Sequence, residues 1–311
     1  MKTAFLFSGQ GAQFVGMGCD LYEKYDTFKK IYEEAGEHLK IDLYKICSDE
    51  QTLSKTENAQ AAIFAMSYAE YRLLGEHNIK PKYMAGFSLG EITSLAASGM
   101  LSFVETLDLI SIRGKTMQKA CNAADGAMFG IIGASDGEVE EVCEAVSKKY
   151  GYVTPANYNC PKQIVISGES EAAEKAADIL AEKKYKTVKL KVNGAFHSKL
   201  MKCGENEFAG FLKSLNLKKP EIDLYSNITG NKFDFGNDIK SFMVDYIPNQ
   251  MSSPVRFKNE IENISAEGCD MFVEIGPGRT LSGFVKKTIE DAKFSNAQDV
   301  ESFEKTIEMF K

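Results

Sequence analysis

The chain has 311 residues, 44% hydrophobic and 26% charged, with a formal net charge of -7. That balance excludes a disordered or fibrous polymer and leaves no global basic field for nucleic acid or an anionic membrane. Seven cysteines at 19, 47, 121, 143, 160, 203 and 269 form no CxxC pair, which argues against a disulfide framework and a zinc site; neither a metal nor a cofactor is expected. In chain order, residues 4–7 read as a buried strand ending at Gly9-Gln10-Gly11. Helices follow over 27–39 and 59–74, Pro81 interrupts, and 83–86 gives a second short strand running into Ser88-Leu89-Gly90 and an Ala-rich helix. A capping box from Ser102 to Glu105 opens another helix, whose Phe103, Leu107, Ile110 and Met117 form one apolar stripe with Arg113 at its flank.

From Gly126 the texture changes to strand 127–132, helix 136–149, strands 152–157 and 163–167, helix 170–183 and strand 186–192. That βαββαβ order predicts a ferredoxin-like subdomain at 126–197, inserted into a hydrolase-like α/β body with a parallel sheet formed by 1–125 and 198–311. The body resumes with helix 199–214, a strand near 222–226, helix 238–247, strand 271–275, a helix from 280, and a tail with Val300, Phe303, Ile307 and Phe310 on one face. The apolar run at the start is too short for a secretory leader and no stretch approaches a membrane span, so a cytoplasmic monomer is expected.

Gly86-Phe87-Ser88-Leu89-Gly90 fits G-x-S-x-G in a strand-to-helix context. A serine forced onto so tight a turn brings the residues two before and two after it together, where only glycine avoids a clash. The Leu89 amide then lies at a helix N-terminus, where unpaired donors stabilise an oxyanion. Serine needs a base, and three histidines are available. His77 precedes the strand whose far end carries Ser88, and His38 lies in the last turn of a helix, a place where histidine commonly serves the dipole. By elimination the candidate base is His197, in Asn193-Gly194-Ala195-Phe196-His197-Ser198.

Several ordered segments resemble the malonyl-CoA:acyl carrier protein transacylase family along essentially the whole chain. Gly9 to Gln13 is similar to its GQGSQ, Gly86 to Glu91 to GHSLGE, Arg113-Gly114 with Met117 to RGxxM, and Gly194 to Ser198 to its histidine loop. Asn249-Gln250 with Ser253-Pro254-Val255, and Glu274 to Gly278, are similar to further family segments. The resemblance implies transfer of a malonyl group from malonyl-CoA to the phosphopantetheine thiol of acyl carrier protein in fatty acid synthesis, through malonyl-Ser88. It implies a Ser88–His197 dyad with the ring oriented by a carbonyl near Gln250, Gln10 beside the Leu89 amide in the oxyanion hole, and Gln250 in substrate binding. Arg113 would grip the malonyl carboxylate bidentately. Phe196, in a stretch similar to the HAFH of malonyl-selective polyketide acyltransferases, would disfavour branched acyl groups. Two residues depart from the pattern: Phe87 stands where the family usually has histidine, and Ala12 where it has serine.

Other readings are weaker. Gly9-x-Gly11 lacks the third glycine of a dinucleotide loop, which would fall at Phe14, and Gly276 to Thr280 lacks the lysine of a P-loop. Lys286-Lys287 and Lys186, Lys189 and Lys191 read as solvated faces or as a steering surface for an acidic carrier. A serine hydrolase, a non-catalytic carrier-binding module and a loader of polyketide carriers remain open alternatives.

Overall fold

The structure is a computed structural model that describes residues 1–192 and 194–311; Asn193, the first residue of the expected histidine loop, and the side chains of 203–207, Cys203 among them, lie outside the described residues. One sheet comprises β1 (Thr3–Phe7), β2 (Tyr83–Gly86), β7 (Asp223–Leu224), β8 (Met271–Ile275) and β9 (Phe294–Asn296), in the order β7-β2-β1-β8-β9. Every pairing in it is parallel. All residues of β1, β2 and β8 are buried, which is why their sequences are continuous apolar runs rather than alternating ones.

The registers Phe7 to Gly86 and Phe7 to Ile275 align the carboxyl ends of the three central strands. The loops that follow them therefore open on one edge of the sheet, the place where open α/β sheets collect their ligands.

The second sheet consists of β3 (Gly126–Ile132), β4 (Val153–Cys160), β5 (Gln163–Glu169) and β6 (Lys186–Lys189), antiparallel in the order β4-β5-β3-β6. With helices Asp136–Ser147 and Ser170–Glu182 this is the expected βαββαβ arrangement. Phe129, Ile131, Val139, Val142 and Ile166 pack with both helices in a core of their own. The opposite face carries Met128, Ala156 and Val165, against which Leu190, Val192 and Phe196 pack.

Differences from the sequence reading are local. The strand expected to 192 ends at Lys189, although the Leu190 amide still donates to the Met128 carbonyl at 2.9 Å. The helix expected to stop at 247 runs over Ile239–Ser252 with Pro248 inside it. Buried Met243, Ile247 and Met251 keep it packed across the proline, so tertiary burial overrides a local breaker. Residues 199–204 form a 3₁₀ turn before the helix Glu205–Ser214. Helix Phe257–Ala266 and β9 had no expectation attached to them.

Helix Leu89–Ala97 is buried along its length and passes tightly over the end of β1. A Cβ built on Gly90 would stand 1.9 Å from the Phe7 carbonyl oxygen, a backbone atom with no freedom to withdraw. Gly90→Ala should therefore lower stability by about 3 kcal/mol or prevent folding. Urea unfolding followed by circular dichroism tests this, and an unshifted midpoint would contradict the packing.

Candidate active site

Ser88 sits at φ 54 and ψ -99, a conformation disfavoured for any L-residue with a side chain. The turn is possible because glycines flank it. A Cβ on Gly86 would meet the Gly90 carbonyl carbon at 2.0 Å, and one on Gly9 would meet the Phe87 carbonyl oxygen at 2.3 Å. Leu89 heads the helix, so its amide has no carbonyl one turn back to bond within it.

His197 also has positive φ, 57, and its amide donates to the Met251 carbonyl at 3.0 Å. Its Nδ1 faces two carbonyls, Gln250 and Ser253, each at 3.1 Å. A carbonyl only accepts, so Nδ1 carries the proton and Nε2 is left as an acceptor, 2.8 Å from Ser88 Oγ. Burial, and secondarily the Arg113 charge, press the imidazole down to a pKa of about 4. The ring is therefore neutral at pH 7 and able to receive the serine proton.

Arg113 is 1% exposed. It donates from Nη2 to Ser88 Oγ at 2.9 Å and from Nη1 to Gln60 Oε1 at 3.0 Å, while its Nε is buried without a partner. Among the described residues it makes no ion pair at contact distance. Burial brings its pKa down to about 10 against the opposing field of Glu91, so it remains a cation at neutral pH. A buried cation without a contacting anion is expensive, by several kcal/mol, and favours an anionic ligand.

Ser88 and His197 line a cavity of about 900 Å³ between the two sheets, with Gln10, Phe87, Met117 and Phe196 in its wall. Phe87 lies against Phe257 and Phe284, with ring centroids at 5.5 and 6.2 Å, so it presents an aromatic rather than a polar surface. Ala12 lines the same cavity.

The structure places Gln250 at the backbone of the dyad. Its side chain is buried behind the elbow, donating to the Ser88 carbonyl at 2.9 Å and to Asn227 Oδ1 at 3.1 Å; like Arg113 and Leu89, it lies behind the residues that line the cavity. It touches the dyad's backbone, with its own carbonyl on His197 Nδ1. His38 pairs with Asp108 at 2.7 Å rather than resting on a helix dipole alone, and His77 stacks edge-on to Phe303.

Two residues escaped sequence reasoning. Gln60 links Arg113 to Gln10, donating from Nε2 to Gln10 Oε1 at 3.0 Å. Asn227 accepts the Ser88 amide at 2.9 Å. Neither belongs to a short motif; the only hint at Asn227 was a polar turn, Ser226 to Gly230, after a very short strand.

A strained serine, a neutral histidine on its hydroxyl and a free helix-terminal amide are the parts of covalent acyl chemistry. The family model described as "Acyl transferase domain" matches residues 4–308, and fold and site together define an acyltransferase. The malonyl CoA-acyl carrier protein transacylase of Bacillus subtilis (strain 168) is 38% identical over 313 residues, spanning 100% of this chain and 98% of that protein. Among solved structures, that of the malonyl CoA-acyl carrier protein transacylase from Clostridium perfringens superposes with a TM-score of 0.93 at 36% identity, covering 100% of this chain and 97% of that one. A malonyl-transacylase solved in complex with its type II PKS acyl-carrier protein gives 0.94 at 31% identity, covering 99% and 100%. The chain belongs to the malonyl CoA-acyl carrier protein transacylase family.

Reaction of Ser88 with a fluorophosphonate requires the histidine as a free base. Because the His197 pKa is lowered, that form persists as pH falls through 6.5, and the labelling rate should decline only with a midpoint near 4. A midpoint at 6.5, read from labelling rates between pH 4 and 8, would contradict the buried neutral ring.

Proposed function

We propose that this chain transfers a malonyl group from malonyl-CoA to the phosphopantetheine thiol of an acyl carrier protein, by way of malonyl-Ser88. Ser88 Oγ attacks the thioester carbonyl while His197 Nε2 takes its proton. The Leu89 amide, with Gln10 beside it, holds the oxyanion, and the tetrahedral intermediate collapses as His197 returns the proton to the departing CoA sulfur. The carrier thiol then gives its proton to His197 and attacks the ester, and as the ester C–O bond breaks His197 Nε2 returns that proton to Ser88 Oγ. Both half-reactions are completed by the chain's own side chains and the two thiol partners.

The observation that carries this reading is Arg113, a buried cation hydrogen-bonded to the nucleophile and without an ion pair at contact distance among the described residues. A malonyl carboxylate is an anion of the right kind, delivered beside the scissile bond, and a guanidinium binds it through two parallel hydrogen bonds. An acetyl group offers no such partner. Phe196 lines the cavity onto which Ser88 and His197 open and would crowd an α-branch. Gln250 acts in this scheme by holding the ring of His197 and the Ser88 carbonyl, not by touching substrate. The relative solved with its acyl-carrier protein supports a carrier as acceptor. The insert boundaries 126–197, a monomeric state and a cytoplasmic location belong to the same proposal; among the described residues no helix is long and apolar enough to cross a membrane.

Mass spectrometry of the protein after malonyl-CoA, with and without carrier, tests the scheme. Wild type should gain a malonyl adduct that the carrier removes, and Ser88→Ala should gain none. Arg113→Ala should lose about 2–4 kcal/mol of malonyl kcat/KM, near 30- to 1000-fold, while acetyl-CoA becomes the better donor. An adduct on Ser88→Ala, or malonyl preference retained by Arg113→Ala, contradicts it.

A further inference from the structure

We infer that Asn227 is a positioning residue for the reaction, acting from behind the nucleophile by fixing the Ser88 backbone and, through Gln250, the ring of His197. Asn227 is fully buried and sits in the turn that follows β7. Its Oδ1 accepts from the Ser88 amide at 2.9 Å and from Gln250 Nε2 at 3.1 Å. Its Nδ2 donates to the Gly86 carbonyl at 2.7 Å and to Glu260 Oε1 at 2.8 Å. One side-chain amide therefore spans the elbow from the residue before Phe87 to the nucleophile itself.

The arrangement demands asparagine. Two donors converge on the oxygen and two acceptors on the nitrogen, a pattern that aspartate inverts on one side and that an apolar residue leaves unmet on both. Gln250 extends the effect. Held by Asn227 and bonded to the Ser88 carbonyl, it offers its own main-chain carbonyl to His197 Nδ1. Both members of the dyad thus lean on the same amide.

Two buried carboxyls hold Asn227 in turn. Its main-chain amide donates to Glu91 Oε1 at 2.8 Å, which also accepts the Tyr246 hydroxyl at 2.7 Å, while Glu260 receives Nδ2. Tyr246 is itself bonded to Ser226 at 2.8 Å, and the Arg256 amide donates to the Asn227 carbonyl at 2.8 Å. Glu91 Oε2, Glu260 Oε2 and Gln250 Oε1 are buried without a hydrogen-bond partner, and the Gln250 side chain lies close enough to Glu91 to favour its carboxylate. A cluster so short of protons is better satisfied when a carboxyl is held as a neutral acid, which donates as well as accepts. Burial does push both glutamates up, Glu91 to about 7, with the Arg113 charge opposing the shift at Glu91. The network therefore anchors the elbow from behind, through the Asn227 amide on Glu91 and its Nδ2 on Glu260.

The inference concerns the nucleophile and base, not the acyl group, so its test uses a fluorophosphonate, which needs only a competent Ser88 and His197. Asn227→Asp keeps the size and reverses the donor side; it should slow labelling by about 100-fold, the cost of a slightly misplaced reacting group. With malonyl-CoA as donor, the same variant should lose kcat and leave KM nearly unchanged. Should Asn227→Asp fail to fold, Glu260→Leu decides, with its melting temperature measured beside its reactivity: it removes a buried carboxyl that is costly in itself and leaves one Asn227 Nδ2 hydrogen without an acceptor. It should nevertheless slow labelling by about tenfold, because Asn227 Nδ2 loses an acceptor. A merely structural network predicts no such separation of melting temperature from reactivity. A folded Asn227→Asp protein labelled within about threefold of wild type, far inside the ~100-fold expected, overturns the inference, as does a stable Glu260→Leu protein labelled at the wild-type rate.

Discussion

Everything at this site depends on one strained residue. Ser88 holds a positive φ that costs of order 1–3 kcal/mol, and the surrounding structure must over-determine it. The glycines at 9, 86 and 90 remove the steric opposition, because a Cβ at any of them would collide with backbone. Hydrogen bonds supply the rest: the Gly90 amide to the Phe87 carbonyl at 2.9 Å, Asn227 to the Ser88 amide, and Gln250 to its carbonyl. In return the hydroxyl stands clear of the sheet, between an imidazole and a guanidinium.

Electrostatics at the site follow from burial. Water is kept from His197 and Arg113 alike, and each is driven toward its neutral form, but with different outcomes. The imidazole, ordinarily at 6.5, is pressed to about 4 and so stays unprotonated well into acid, whereas the guanidinium starts so high that it stays charged. Their proximity reinforces the result, since the cation further disfavours imidazolium. The same desolvation that keeps the imidazole unprotonated leaves Arg113 a buried charge in need of an anion.

The fold brings these groups together by aligning strand ends. Gln10 follows β1, Ser88 follows β2, and Asn227 comes just beyond β7, all on the carboxyl edge of one parallel sheet. His197 arrives from elsewhere, at the exit of the antiparallel sheet, and docks through its amide on Met251. The cavity therefore lies where two separately built cores meet, with the Met128 and Val165 face of the smaller sheet as one wall.

Most of the secondary structure was legible in the sequence because its signals are local: apolar runs for β1, β2 and β8, a capping box at Ser102, and alternating elements from 126 onward. The elbow was legible for the same reason, since glycine spacing around Ser88 records a steric requirement within five residues. His197 could be reached because the chain has only three histidines. The extension of a helix through Pro248, the short strand β9, the bonds of the Gln250 side chain to Ser88 and Asn227, and the contacts of Gln60 and Asn227 could not. Each is settled by partners 20 or more residues distant, such as the 139 positions separating Asn227 from Ser88. Local sequence therefore determined which residue is the nucleophile and what turn presents it. Tertiary structure alone decided what stands behind that turn, because hydrogen bonds and desolvation depend on proximity in space, of which a lone asparagine or glutamine in sequence carries no record.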